Sequence, residues 1–172
     1  MEPRKVLTEN MGGEVDFFFS EYVFNFIRRD IEREIALARA GNNASNFLAA
    51  LGLLCYTDML GGFISGSWEH GRSRGNFDVF FDALGDEYVA FRKAIEPQNP
   101  YSVYRCGMVH EYAVKEPCRI AMLKVKATCG VWKDAEGRYQ FCVEKYFEDF
   151  MVAAWALYDR LMATPSVAMP KR

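Results

Sequence analysis

Apolar side chains return at helical spacing through most of this chain. Between about residues 15 and 40, Phe24, Ile27, Ile31, Ile35 and Ala38 recur every three or four positions, while Arg28, Asp30, Arg33 and Glu34 lie off that stripe. That is the pattern of an amphipathic helix. Gly41-Asn42-Asn43 supplies its end and Ser45 a cap for the next helix. Residues 46–60 are apolar on nearly every side and carry one charge, Asp58, so they predict a helix at the centre of a bundle. The stretch GGFISGSWEHGRSRG, residues 61–75, reads as a Gly/Ser-rich loop. Beyond it Phe77, Phe80, Phe81, Leu84, Tyr88, Phe91 and Ile95 line one face of a single long helix, punctuated by Pro97 and Pro100. A shorter helix runs from Tyr101 to about Val114.

After Pro117 the period changes to two. Leu123 and Val125 alternate with Lys124 and Lys126, and Tyr139, Phe141 and Val143 alternate with Arg138, Gln140 and Cys142. With the polar KDAEGR between them, the two runs predict an antiparallel hairpin at about 119–143. The helical period resumes from Glu144, through Phe147, Phe150, Ala154, Leu157 and Leu161. The expectation is one mainly α domain over 1–172: about five helices with a small antiparallel hairpin inserted before the last. Residues 13–163 form the ordered bundle in this reading, and 1–12 and 164–172 are loose tails.

Composition narrows the class. Apolar residues make up 51% of the chain and aromatics 15%, enough for a core and against disorder over most of its length. A formal net charge of -2 argues against coating nucleic acid by bulk charge, while leaving room for a local phosphate site. The five cysteines, Cys55, Cys106, Cys118, Cys129 and Cys142, include no C-x-x-C pair, so neither a disulfide framework nor a zinc ribbon is expected. The N-terminus lacks the apolar run of a secretory signal. The longest uncharged stretch, Ala40 to Thr57, has an apolar part short of the ~20 residues that span a bilayer. The expected setting is reduced and cytoplasmic, with no cofactor, metal or membrane partner.

The residues that bear on chemistry sit in YSVYRCGMVHEY: Arg105 and His110, separated by four residues. An imidazole changes charge near neutrality and can take the proton of a ribose 2′-hydroxyl as that oxygen attacks the adjacent phosphate. A guanidinium fork matches two phosphate oxygens and offsets the charge that builds on them. Neither role needs a metal. With this pair late in a bundle and the tyrosines before it, the chain resembles the HEPN superfamily of helical bundles. Many members are metal-independent endoribonucleases with an R-x(4–6)-H motif. The resemblance covers roughly Val15 to Leu161 in outline, but only Arg105 and His110 match as a motif. It implies RNA cleavage that leaves a 2′,3′-cyclic phosphate, a composite dimeric cleft, and a stress or phage-defence setting with an antitoxin or other protein partner. It also implies an alternative, a non-catalytic module for nucleotide or protein. Active members commonly carry a polar residue after the Arg, whereas this chain has Cys106, a weak hydrogen-bonding group.

Helix geometry leads to the same dimer. Positions five apart lie about 140° apart around an α-helix and ~7.5 Å along it, an awkward grip on one phosphate. A groove between two copies brings the parts together, so a homodimer is expected. Asp58, Cys106, Tyr104 and Glu111 are the supporting candidates. Asp58 either holds Arg105 or His110 in place or sits at a solvent-facing helix end. Arg105 has a structural alternative too, packing at an interface paired to Asp58 or Glu111. Trp68, Arg72 and Arg74 mix aromatic and basic groups suited to stacking a base and holding its phosphate. A solvated connection explains the same residues, His70 among them. Cys106, His110 and Cys118 lack a fourth zinc ligand, and a Cys106–His110 nucleophile pair lacks an oxyanion-hole motif. Lys124 and Lys126 read as a small basic face or an edge guard.

Overall fold

The computed structural model describes residues 12–110, 118–124 and 128–163, among which the chain forms six helices and one three-stranded sheet. Helix α1 covers 12–39; its Phe18–Ile27 segment is wound as a π-helix and Arg28–Arg39 as an α-helix. Its buried residues are Val15, Phe19, Val23, Ile27, Ile31 and Ile35, every fourth position. A row at steps of four drifts steadily around a 3.6-residue helix. Wider π turns through the middle cancel that drift and hold the row against the core. Phe24 instead stacks on Trp155 of the last helix at 3.5 Å between ring centroids.

Helix α2 (Asn46–Ser65) is the central element and packs most extensively on α3 (Ser73–Ala83), then on α6 (Val143–Ala163). It continues through Gly61 and Gly62, so the connecting loop covers only 66–72 rather than 61–75. The glycines serve helix contact instead of a turn. A Cβ on Gly61 would lie 1.7 Å from the Asn76 carbonyl oxygen, and one on Gly62 would meet the Trp68 indole at 2.5 Å. The longer α2, 20 residues, reaches membrane-spanning length and apolarity, contrary to the expectation from Ala40–Thr57; half of that stretch is buried in the fold.

The single helix expected over Phe77–Ile95 is two. Gly85 has φ of 138°, a backbone state open to glycine, and separates α3 from α4 (Asp86–Ala94). Apolar spacing carries across the break because Phe81 and Tyr88 pack edge to face at 5.2 Å on its two sides. Helix α5 covers 101–110, with Tyr101–Cys106 π-wound and Gly107–His110 α-helical.

The sheet is mixed. Strands β1 (Cys118–Ala121), β2 (Val131–Lys133) and β3 (Tyr139–Cys142) lie in the order β1-β3-β2, β1 parallel and β2 antiparallel to β3. The β2–β3 hairpin fulfils the antiparallel expectation, but Leu123 and Lys124 are not its strand: they follow β1 in a bend. Val125 and Lys126 lie outside the described residues, as do the tail segments 1–11 and 164–172. Lys124 is paired with Glu148 at 2.7 Å.

The bend is anchored by Glu144, a buried acid at the start of α6. Its carboxylate accepts the Lys124 backbone N–H at 2.8 Å and pairs with Arg39. Burial alone would raise its pKa, yet the Lys124 N–H and the Arg39 guanidinium hold it below the ordinary 4.5. Its contribution to stability is therefore present above that value and lost as pH falls through the depressed one. Glu144→Gln is expected to cost about 1–2 kcal/mol at neutral pH. It should also flatten the acid limb of the stability–pH curve, followed by thermal melts from pH 7 downward. An unchanged acid limb would remove this role.

Candidate functional site

Arg105 projects from the π-wound start of α5 toward the middle of α2. Its Nη2 lies 3.7 Å from Asp58 Oδ2, and its guanidinium carbon stands 5.4 Å from the centre of the Tyr101 ring, one turn earlier. Both charged side chains are largely covered, Arg105 at 21% exposure and Asp58 at 15%. Ser73, the first residue of α3, lies close enough to Asp58 and Tyr101 to favour the charged form of each. Helices α2 and α5 thus meet at one guanidinium, with the start of α3 beside them.

The start of α5 is fixed from below by buried Asn99. Its Oδ1 accepts the Tyr101 N–H at 2.8 Å and its Nδ2 donates to Asp78 at 3.1 Å. Because Asn99 caps the turn that carries Arg105, the backbone beneath the site is held independently of the charges above it.

Electrostatics mark the cluster. Burial raises the Asp58 carboxyl above its usual range, with Arg105 and Ser73 pulling the other way. Burial likewise raises the Tyr101 phenol and the Cys55 thiol, against the lowering influence of Arg105 in each case. Several desolvated titratable groups around one cation are a frequent property of functional sites. At 3.7 Å the Asp58 contact is an ion pair rather than a close hydrogen bond. The guanidinium therefore keeps donor capacity, and its buried Nε has no hydrogen-bond partner among the described residues. An oxyanion entering here would meet an oriented fork that is already partly desolvated.

The other candidates separate clearly. Asp58 meets Arg105 from within α2 rather than from its end, a pairing that both the positioning role and the structural alternative for Arg105 expect. Cys106 follows Arg105 and is partly covered near Tyr101. Tyr104 does not join them: it is fully buried, and its hydroxyl donates to the Gln140 carbonyl at 3.1 Å, tying α5 to β3. His110 ends the described part of α5, five residues after Arg105; its side chain and all of Glu111 lie outside the described residues. Trp68 packs edge-on to Phe63 and covers Gly62, leaving 38% exposed. Arg72 is exposed just before α3, and Arg74, 62% exposed, faces a neighbouring cleft. Among the described residues no three His, Cys, Asp or Glu side chains converge as a metal-binding group.

Sequence reasoning passed over Ser73 and Cys55. Ser73 lay in a stretch read as loop, and Cys55 on a helix read as pure core. One signal did point to Cys55: it lies three residues before Asp58, on the same helical face. Comparison with known proteins adds no relative: no family model, curated protein or solved structure matches the chain.

Proposed function

We propose that this chain is an HEPN-like bundle that cleaves RNA without a metal, with Arg105 and His110 as its catalytic residues. One observation carries the reading: Arg105 is oriented by Asp58 and the Tyr101 ring while its Nε has no partner among the described residues. A structural arginine normally spends its buried donors, whereas the Arg105 Nε has no partner among the described residues and the head is held by one loose ion pair. In the proposed reaction His110 accepts the proton of the ribose 2′-hydroxyl as that oxygen attacks the adjacent phosphorus. Arg105 balances the charge on the equatorial oxygens, and the 5′-oxygen leaves as the P–O bond breaks and takes its proton from water, to which His110 later returns the one it accepted. The products are a 2′,3′-cyclic phosphate and a free 5′-hydroxyl. The reading includes a homodimer, since residues 105 and 110 address one phosphate more readily across two copies of α5 than along one. Size exclusion at working concentration showing only monomer would contradict that part.

A second reading, RNA or nucleotide binding without cleavage, is favoured by Cys106 beside Arg105 and by the Asp58 carboxylate already drawing on the guanidinium charge. Incubation with labelled single-stranded RNA in EDTA separates the two. Cleavage by the wild type that is lost in both Arg105→Ala and His110→Ala is the expected result. Retention of intact RNA on the wild type moves the protein to the second reading.

A further inference from the structure

Next to the Arg105 site, α3, α4 and the 96–99 segment that leads into α5 enclose a half-open cleft of about 440 Å³. That volume suits a small organic ligand. Several polar groups in its wall are already engaged. Arg92 is clamped by Asp82 at 2.7 and 2.5 Å, the Asn99 amide is used at both ends, and the Gln98 carbonyl accepts the Tyr139 hydroxyl. Two groups of opposite charge remain. Arg74 touches Asp78 only at 3.9 Å, with its head largely in solvent. Glu96 is exposed at the rim, near the Arg92 charge, and its carboxylate makes no hydrogen bond or close ion pair among the described residues. Pro97 adds an apolar side chain to the same wall.

We propose that this cleft binds a guanosine phosphate, with the Glu96 carboxylate reading the base and Arg74 holding the phosphate. Guanine presents two adjacent donors, N1–H and the N2 amino group, which match the two oxygens of one carboxylate. Adenine and cytosine offer a donor beside an acceptor, and hypoxanthine lacks the amino group. The cleft and the Arg105 site share a wall. Ser73 stands beside Asp58 and Tyr101 while the next residue, Arg74, lines the cleft, and Asn99 bonds both Asp78 and the Tyr101 backbone. A guanosine seated here would belong to the strand presented to Arg105. The inference rests on the nuclease reading only for that last point.

Calorimetric titration of the full chain with GMP, IMP and AMP tests the cleft without any cleavage. GMP should bind about tenfold tighter than the other two. Glu96→Gln should erase that preference, and Arg74→Ala should weaken all three alike, with melting curves for both variants matching the wild type. Equal affinities, or a preference that survives Glu96→Gln, would overturn the proposal. A second arm asks whether the ligand is free or part of a strand, using an RNA with one guanosine and its inosine counterpart. Cuts clustered beside guanosine place it in the strand. GMP preference without cleavage of either RNA keeps the cleft and discards the cleavage chemistry. Cleavage without GMP preference does the reverse.

Discussion

Gly61→Ala is expected to cost about 3–4 kcal/mol and to lower the melting temperature by roughly 10 °C for a chain of this size. The methyl group would stand 1.7 Å from the Asn76 carbonyl oxygen and 2.4 Å from its carbon. No rotamer change relieves that overlap, because the obstruction is the backbone of α3 itself. Helices α2 and α3 must separate, which disturbs the packing around Phe77 and the bonds that Asn76 makes to Ser65 and Ser67. Gly52→Ala on the same helix is the internal control. There the new Cβ meets the Tyr56 ring at 3.5 Å, an ordinary contact, so the gain in helix propensity should leave stability unchanged or raised by up to about 1 kcal/mol. Thermal melts of the two variants side by side give the answer. A Gly61→Ala protein as stable as the Gly52→Ala protein would mean the two helices do not approach as described.

Arg105→Ala should lower the cleavage rate by about 10²–10³-fold, the usual consequence of removing one preorganised donor to a developing oxyanion. Arg105→Lys should restore little, since an ammonium keeps the charge but loses the planar fork and the broad face that lies over Tyr101. Asp58 acts through Arg105 as a positioning residue, and its variant has a different signature. Asp58→Asn removes the competing carboxylate and frees the guanidinium to turn. Phosphate binding should hold or tighten while kcat falls about tenfold. A mere loss of packing would instead raise KM and lower stability together. Kinetics on a short RNA substrate, with melts of each variant, separate these outcomes. An Arg105→Ala protein that cleaves at the wild-type rate would leave the guanidinium with a structural role only.

Much of this was legible in the chain because burial and period coincide. The helical segments around Ile27–Ile35 and Phe147–Leu161 follow from spacing alone, since each buries a regular face, and the one around Leu53–Leu54 from apolarity on nearly every side. The lone charge on an apolar helix pointed to Asp58, and the reason is general: an uncompensated carboxylate there is costly. What escaped reading had physical causes too. Gly61 and Gly62 resemble a turn in sequence, yet here a missing Cβ lets two helix backbones touch. Gly85 breaks a helix without interrupting the apolar spacing on either side. The regular alternation of Leu123 to Lys126 outweighed the shorter run CRIA, although parallel pairing with β3 falls to the latter. Ser73 joined the site through tertiary approach of α3 to α5, which no local pattern records.

The most direct test of the central claim is the chemistry of the cut. RNA treated with wild-type protein in EDTA should end in a 2′,3′-cyclic phosphate by mass spectrometry. A single 2′-deoxy sugar on the 5′ side of the scissile phosphate should block that cut alone. Cleavage that proceeds through the deoxy position, or that leaves a 3′-hydroxyl, would contradict attack by the ribose oxygen under the control of Arg105 and His110.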